Sequence, residues 1–288
     1  MIKLVLLLTI TIAFGMLKVI GQVETSFYDT SSVIEVDTLD RKAYKLLEEK
    51  EYKSSLNSFQ NILQIDPKNI AAHMGKAKCQ FELGNYLKSY NTYKTILEFN
   101  DSNIYALEGI GNSLLFLKEF DEALKFFNRS ITLYPENISI YYSIALAKFC
   151  LKKFQKAAEF SNKSILLYKQ SGLESPYSFL LTYLCYIQSN NKIRVEQLVN
   201  YMKGSSFEDG WPKNIVEFVI GDIDKVELLS FVKSKFQEAE AHTYIAFKLI
   251  YEGELELGIK HLNWVKEVEG FKSNETLLSD TIILEPKA

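Results

Sequence analysis

Three histidines, three cysteines and 36 acidic residues are the side chains of this 288-residue chain that could hold a metal, attack a carbonyl or move a proton. Metal sites need such groups close together at short, regular spacings. His73, His242 and His261 lie far from such partners in sequence: there is no His-x-x-x-His, and no cysteine or carboxylate joins them at ligand spacing. Gly-x-Ser-x-Gly, a phosphate loop and a dinucleotide fingerprint are all missing from the sequence. Glu48/Glu49 and Glu238/Glu240 are acid pairs of the kind that solvated helices carry, so both read as surface. Cys79, Cys150 and Cys185 sit in helical patterns far from one another and read as buried, inert thiols. These residues lead us to expect no enzyme activity, no metal and no cofactor.

The elements that would position these groups announce themselves by a repeat. Leu63/Pro67/Asn69 returns as Leu97/Asp101/Asn103 and Ile131/Pro135/Asn137, each copy 34 residues after the last. A fourth copy around Ile165 has Lys169 in place of the proline. In the register 36–69, 70–103, 104–137 and 138–171, the eighth position is Ala43, Ala77, Gly111 and Ala145. The seventeenth is Tyr52, Tyr86, Phe120 and Phe154, and the twentieth is Ser55, Ser89, Ala123 and Ala157. The twenty-fourth is Phe59, Tyr93 and Phe127, with Ser161 as the departure. Small residues at two fixed places and aromatics at two others suit antiparallel helices packed closely together.

These positions resemble the tetratricopeptide repeat, most clearly in the third copy through Leu107, Gly111, Phe120, Ala123, Phe127 and Pro135. The resemblance implies an all-α, right-handed superhelical solenoid of antiparallel helix pairs, with an irregular helical middle segment and a C-terminal capping helix. It also implies a concave groove, lined from the first helix of each pair, that holds protein segments. The groove residues carried over are Tyr44, Met74, Lys78, Phe81, Tyr105, Asn112, Phe116, Tyr142 and Phe149. Repeats that grip a C-terminal carboxylate use lysine, arginine and asparagine at the fifth and ninth positions. Here the fifth positions are Asp40, Met74, Glu108 and Tyr142, which disfavours that ligand.

Beyond residue 171 the register is lost. Pro176 can open a helix to about Ser189, residues 195–202 are apolar at helical spacing, and Pro212 can start a short helix. A helix ending at Gly253 with a partner from Leu255 to Lys266 makes one more unit, and 275–284 reads as a closing helix. Gly-Trp-Pro at 210–212 with Gly221, followed by Glu240, Ala241, Tyr244 and Gly253, resembles the new lipoprotein I family of bacterial envelope adaptors. That resemblance implies peptidoglycan hydrolases or a periplasmic protease as partners. Family members carry a lipid-bearing cysteine near the start, and residues 1–78 here contain none, so no lipid anchor of that kind is expected.

Residues 1–21 begin with Lys3 and an apolar run, and end at Gly21, as a signal peptide does. Cleavage or retention as an anchor would both mean export, to a periplasm or cell envelope. The formal charge of −3 gives little reason to expect nucleic acid or an anionic membrane as partner. The expected organisation is 1–21 signal, 22–35 flexible leader, 36–171 four repeats, 172–237 irregular helices, and 238–288 a further unit with its closing helix. The expected function is a non-catalytic interaction scaffold. A self-associating structural protein, in which exposed end repeats meet one another, and an unrecognised hydrolase are the competing classes.

Overall fold

The computed structural model describes residues 30–267 and 273–281, all of whose regular elements are helices. They are α1 Thr30–Glu48, α2 Tyr52–Ile65, α3 Ile70–Glu82, α4 Tyr86–Phe99, α5 Ile104–Phe116, α6 Phe120–Leu133, α7 Ile138–Cys150 and α8 Phe154–Gln170. There follow α9 Pro176–Gln188, α10 Lys192–Lys203, α11 Trp211–Ile220, α12 Lys225–Ser230, α13 Lys235–Glu252, α14 Leu255–Glu267 and α15 Asn274–Thr281. The chain forms two compact units, 1–75 and 76–288, with the division inside α3. The signal-peptide expectation lies outside the described residues. The expected leader is partly helical, because α1 already begins at Thr30.

The repeat chemistry acts as its spacing predicts. Every second helix opens on its seventeenth-position aromatic, at Tyr52, Tyr86, Phe120 and Phe154. The connecting turn always puts the fifteenth position in the left-handed region: Lys50 at φ 61°, Gly84 at 74°, Lys118 at 63° and Lys152 at 60°. Only one of the four is glycine, so three repeats accept a cost of about 1–2 kcal/mol at that residue. Pro67 and Pro135 follow helices of 14 residues, whereas α8, with Lys169 in the proline's place, runs on for 17.

In unit 1, Ser55 Oγ donates to the Ala43 carbonyl at 2.8 Å, which ties the twentieth position to the eighth. Phe59, fully buried, lies where a side chain on Gly75 would be. Unit 2 repeats both devices. Ser89 Oγ donates to the Ala77 carbonyl at 2.9 Å, and the Tyr93 ring fills the space left by Gly109. These sixth-position glycines escaped the sequence reading because the first and fourth copies carry other residues there. The core of unit 2 continues through Leu107, Ile110, Phe127, Ile144, Phe149, Tyr183, Tyr244 and Phe247, each at most 2% exposed.

Loss of register after residue 171 has a simple cause. The helix pair α9–α10 turns at Asn190, again left-handed at φ 52°, four residues later than a 34-residue beat would place it. Three of the four residues come from the longer α8 and one from the loop that follows it. Buried hydroxyls join this pair to α8: Ser161 Oγ donates to the Ser178 carbonyl at 2.7 Å, and Thr182 Oγ1 to Ser161 Oγ at 2.8 Å. The closing helix α15 packs on α14, on α13 and on α7 of the fourth repeat.

Candidate functional site

The first helices of repeats three and four, α5 and α7, share a polar face in unit 2. Glu108 accepts from Ser139 Oγ at 2.8 Å and from Asn137 Nδ2 at 3.1 Å. One turn on, Asn112 Oδ1 accepts from Ser143 Oγ at 3.1 Å. These two rungs hold the helices side by side. Tyr105, one turn before Glu108, buries little of itself and is 64% exposed. At the other end of α5, Phe116 stacks on Tyr86 with centroids 4.8 Å apart, and Phe81 meets both rings edge-on. Burial, then the Glu82 charge, pushes the Tyr86 hydroxyl up to about 12, so it stays neutral.

A second constellation lies where α7, α9, α11, α13 and α15 converge. Glu240 is fully buried, and Trp211 Nε1 donates to its Oε2 at 2.6 Å. Glu275, 3% exposed, and the Tyr177 hydroxyl lie close to it. Burial first, and the neighbouring Glu275 second, push Glu240 up to about 9. Burial likewise raises Glu275. At neutral pH Glu240 therefore keeps its proton, while Glu240 Oε1 and Glu275 Oε2 lie buried without a hydrogen-bond partner among the described residues. This corrects the reading of Glu238/Glu240 as a solvated pair. Helical spacing turns Glu240 inward while Glu238 stays half-exposed. Neither buried carboxyl presents a surface on which a substrate could sit.

A third group corrects the histidine reading. His242 Nδ1 and His261 Nδ1 are 3.0 Å apart, so one donates to the other, and the His242 ring stacks on Trp264 at 4.0 Å. Burial, then His261, brings His242 down to about 4. Burial, then Lys225, lowers His261. The two residues lie on facing helices, α13 and α14, which sequence spacing could not reveal. Among the described residues no third histidine, cysteine or acid joins them as a metal-binding group.

A family model for the tetratricopeptide repeat matches residues 46–109, and a second matches 104–137. Residues 46–137 carry tetratricopeptide repeats. The fold is similar to that of a tetratricopeptide repeat protein from Parabacteroides merdae, at 17% identity and a TM-score of 0.57, covering 86% of this chain and 98% of that one. Pseudomonas aeruginosa pilF gives 14% identity and a TM-score of 0.54, covering 85% and 97%. MamA from Desulfovibrio magneticus RS-1 gives 13% and 0.52, covering 58% and 92%. Comparison with curated proteins gives no match.

The tetratricopeptide repeats sort the expected groove residues into distinct environments. Tyr105 and Lys78 are exposed, and Asn112 is half-buried in its rung. Phe81 and Phe116 are half-buried and engaged with Tyr86. Phe149 is a correction: it has no exposed surface and packs against Phe154 at 5.0 Å and Phe247 at 6.4 Å, so it is core. Its partner Phe247 belongs to α13, an element outside the 34-residue register. Tyr142 is half-buried and engages Asn274 of α15. In unit 1, Tyr44 is 36% exposed, donates to the Ala71 carbonyl at 3.3 Å and meets Phe59 edge-on, while Met74 is half-buried.

Proposed function

We propose that this chain is a non-catalytic scaffold that holds protein segments against the first-helix face of α5 and α7. The exposure of Tyr105 beside the Glu108 and Asn112 rungs carries the reading. An aromatic ring offers a large contact area at little entropic cost, and the polar rungs give a bound backbone places to bond. The Glu108 carboxylate favours segments that are neutral or basic over acidic tails. The resemblance of residues 210–253 to the envelope adaptors supports peptidoglycan hydrolases or a periplasmic protease as partners. The apolar segment 1–21 supports export to the periplasm or cell envelope, which mass spectrometry of the isolated protein's N-terminus tests by finding Gln22 first.

The interaction is tested by affinity capture from an envelope extract, with residues 22–288 and the Tyr105→Ala variant as parallel baits. Because Tyr105 is largely exposed, the variant should unfold within about 0.5 kcal/mol of the parent. Recovery of a hydrolase or protease should drop at least about tenfold, the loss of about 1.4 kcal/mol from an interface anchor. Equal recovery on both baits removes this face as the site. Recovery of the chain alone on both baits favours the self-associating reading.

A further inference from the structure

Repeat four already holds a helix on its first-helix face, and the helix is the chain's own. Of the eight residues of α15, Leu277, Leu278, Ser279 and Thr281 turn inward, while Asp280 reaches out to Lys118 Nζ at 2.9 Å. Asn274 lies beside Tyr142, and Thr281, whose hydroxyl donates to the Leu277 carbonyl at 2.7 Å, lies beside Cys150. Tyr142 and Cys150 are the fifth- and thirteenth-position residues of repeat four, where repeat three has Glu108 and Phe116. The first turn of α15 is fastened differently, by Glu275 buried against Glu240.

We propose that α15 is a ligand in cis for the face of repeat four, docked there while the buried Glu275 and Glu240 are neutral and released when they ionise. The groups facing the pair are Tyr142 from α7, Tyr177 from α9, Trp211 from α11, Tyr244 from α13, and Ser273 and Asn274 at the head of α15. None of these is a cation, and α14 contributes no group acting on the pair. Burial favours the protonated form of both carboxyls. Once ionised, two negative charges would share a buried site at which no lysine or arginine acts. The Lys118–Asp280 pair at the far end is exposed and too weak to hold the helix by itself.

The site beneath α15 therefore takes a short helix with a neutral hydrogen-bonding group in its first turn, followed by paired leucines and small hydroxyl residues. A carboxylate enters that first turn only as its acid. This stands whether or not Tyr105 meets a partner.

Hydrogen exchange of the full chain, corrected for intrinsic rates, tests the proposal at about pH 6 and about pH 10. With Glu240 near 9, a further unit of pH ionises the pair about tenfold over. The α15 amides should lose protection by at least about tenfold at the higher pH, with α5 and α6 unchanged. Glu275→Gln keeps a neutral hydrogen-bonding group and should hold α15 protected at both values. Glu240→Gln should do the same, and serves if the first variant folds poorly. Protection of wild-type α15 that is indifferent to pH overturns the latch. So does an equal alkaline loss in wild type and both glutamine variants.

Discussion

Gly109 shows how much a single position decides. The Tyr93 ring lies across it, and a methyl group there would meet that ring directly. Tyr93 is itself buried between helices and has little room to turn aside. Gly109→Ala should therefore lower stability by about 1–3 kcal/mol, the usual result of overpacking, read as an earlier midpoint in urea. The pattern of small residues pointed to positions eight and twenty but passed over position six. That close approach depends on the ring orientation of the preceding repeat's aromatic. Ser55 and Ser89 were legible as small residues, whereas their hydroxyl bonds to the eighth-position carbonyls became visible only with the helices in place.

Among the elements, α11 gives residues 210–253 their physical meaning. Pro212 sits in the first turn of α11, where its missing N–H costs nothing, and Gly210 takes a positive φ of 148°. That turn sets Trp211 so that its ring nitrogen reaches Glu240 on α13. The tryptophan and the glutamate, 29 residues apart, form a clasp between two helices. Trp211→Phe keeps the ring but removes the donor, leaving a buried acceptor with one bond fewer. It should cost about 1–3 kcal/mol in chemical denaturation at neutral pH. It should also raise Glu240 further, because the Trp211 bond favours the ionised form. Unchanged stability would mean that the ring packing alone fastens α11.

The molecule carries two titrating clusters of opposite sign, a half-buried histidine pair and a buried acid pair. His242 is held at about 4 against an ordinary 6.5, so on acidification the unfolded chain takes up a proton that the folded one refuses. Its contribution is full above 6.5 and is lost as pH falls toward 4. Glu240 stands at about 9 against an ordinary 4.5, so the folded chain keeps a proton that the unfolded one releases. Its contribution is full below 4.5 and is lost as pH rises through 9. Between 4.5 and 6.5 the two trends oppose each other, and above 6.5 only the acid cluster acts. The urea midpoint should therefore fall between pH 7 and about 9.5. Glu240→Gln should flatten that alkaline limb, and His242→Gln should flatten the acid one. An alkaline limb that is flat in the wild type would mean that Glu240 is already ionised in the folded chain.

The sequence by itself determined the helix pairs of residues 36–171, their openings at Tyr52, Tyr86, Phe120 and Phe154, and the expectation of an interaction face on their first helices. These are local matters, set by the spacing of small and aromatic residues within one 34-residue unit. Only the tertiary structure decided that Phe149 is core, that His242 meets His261, that Glu240 is buried against Glu275, and that α15 lies on repeat four. Each of these joins residues on different helices, many of them beyond the point where four extra residues break the register. Periodicity reports which way a side chain faces on its own helix. It cannot report which distant helix will be waiting there.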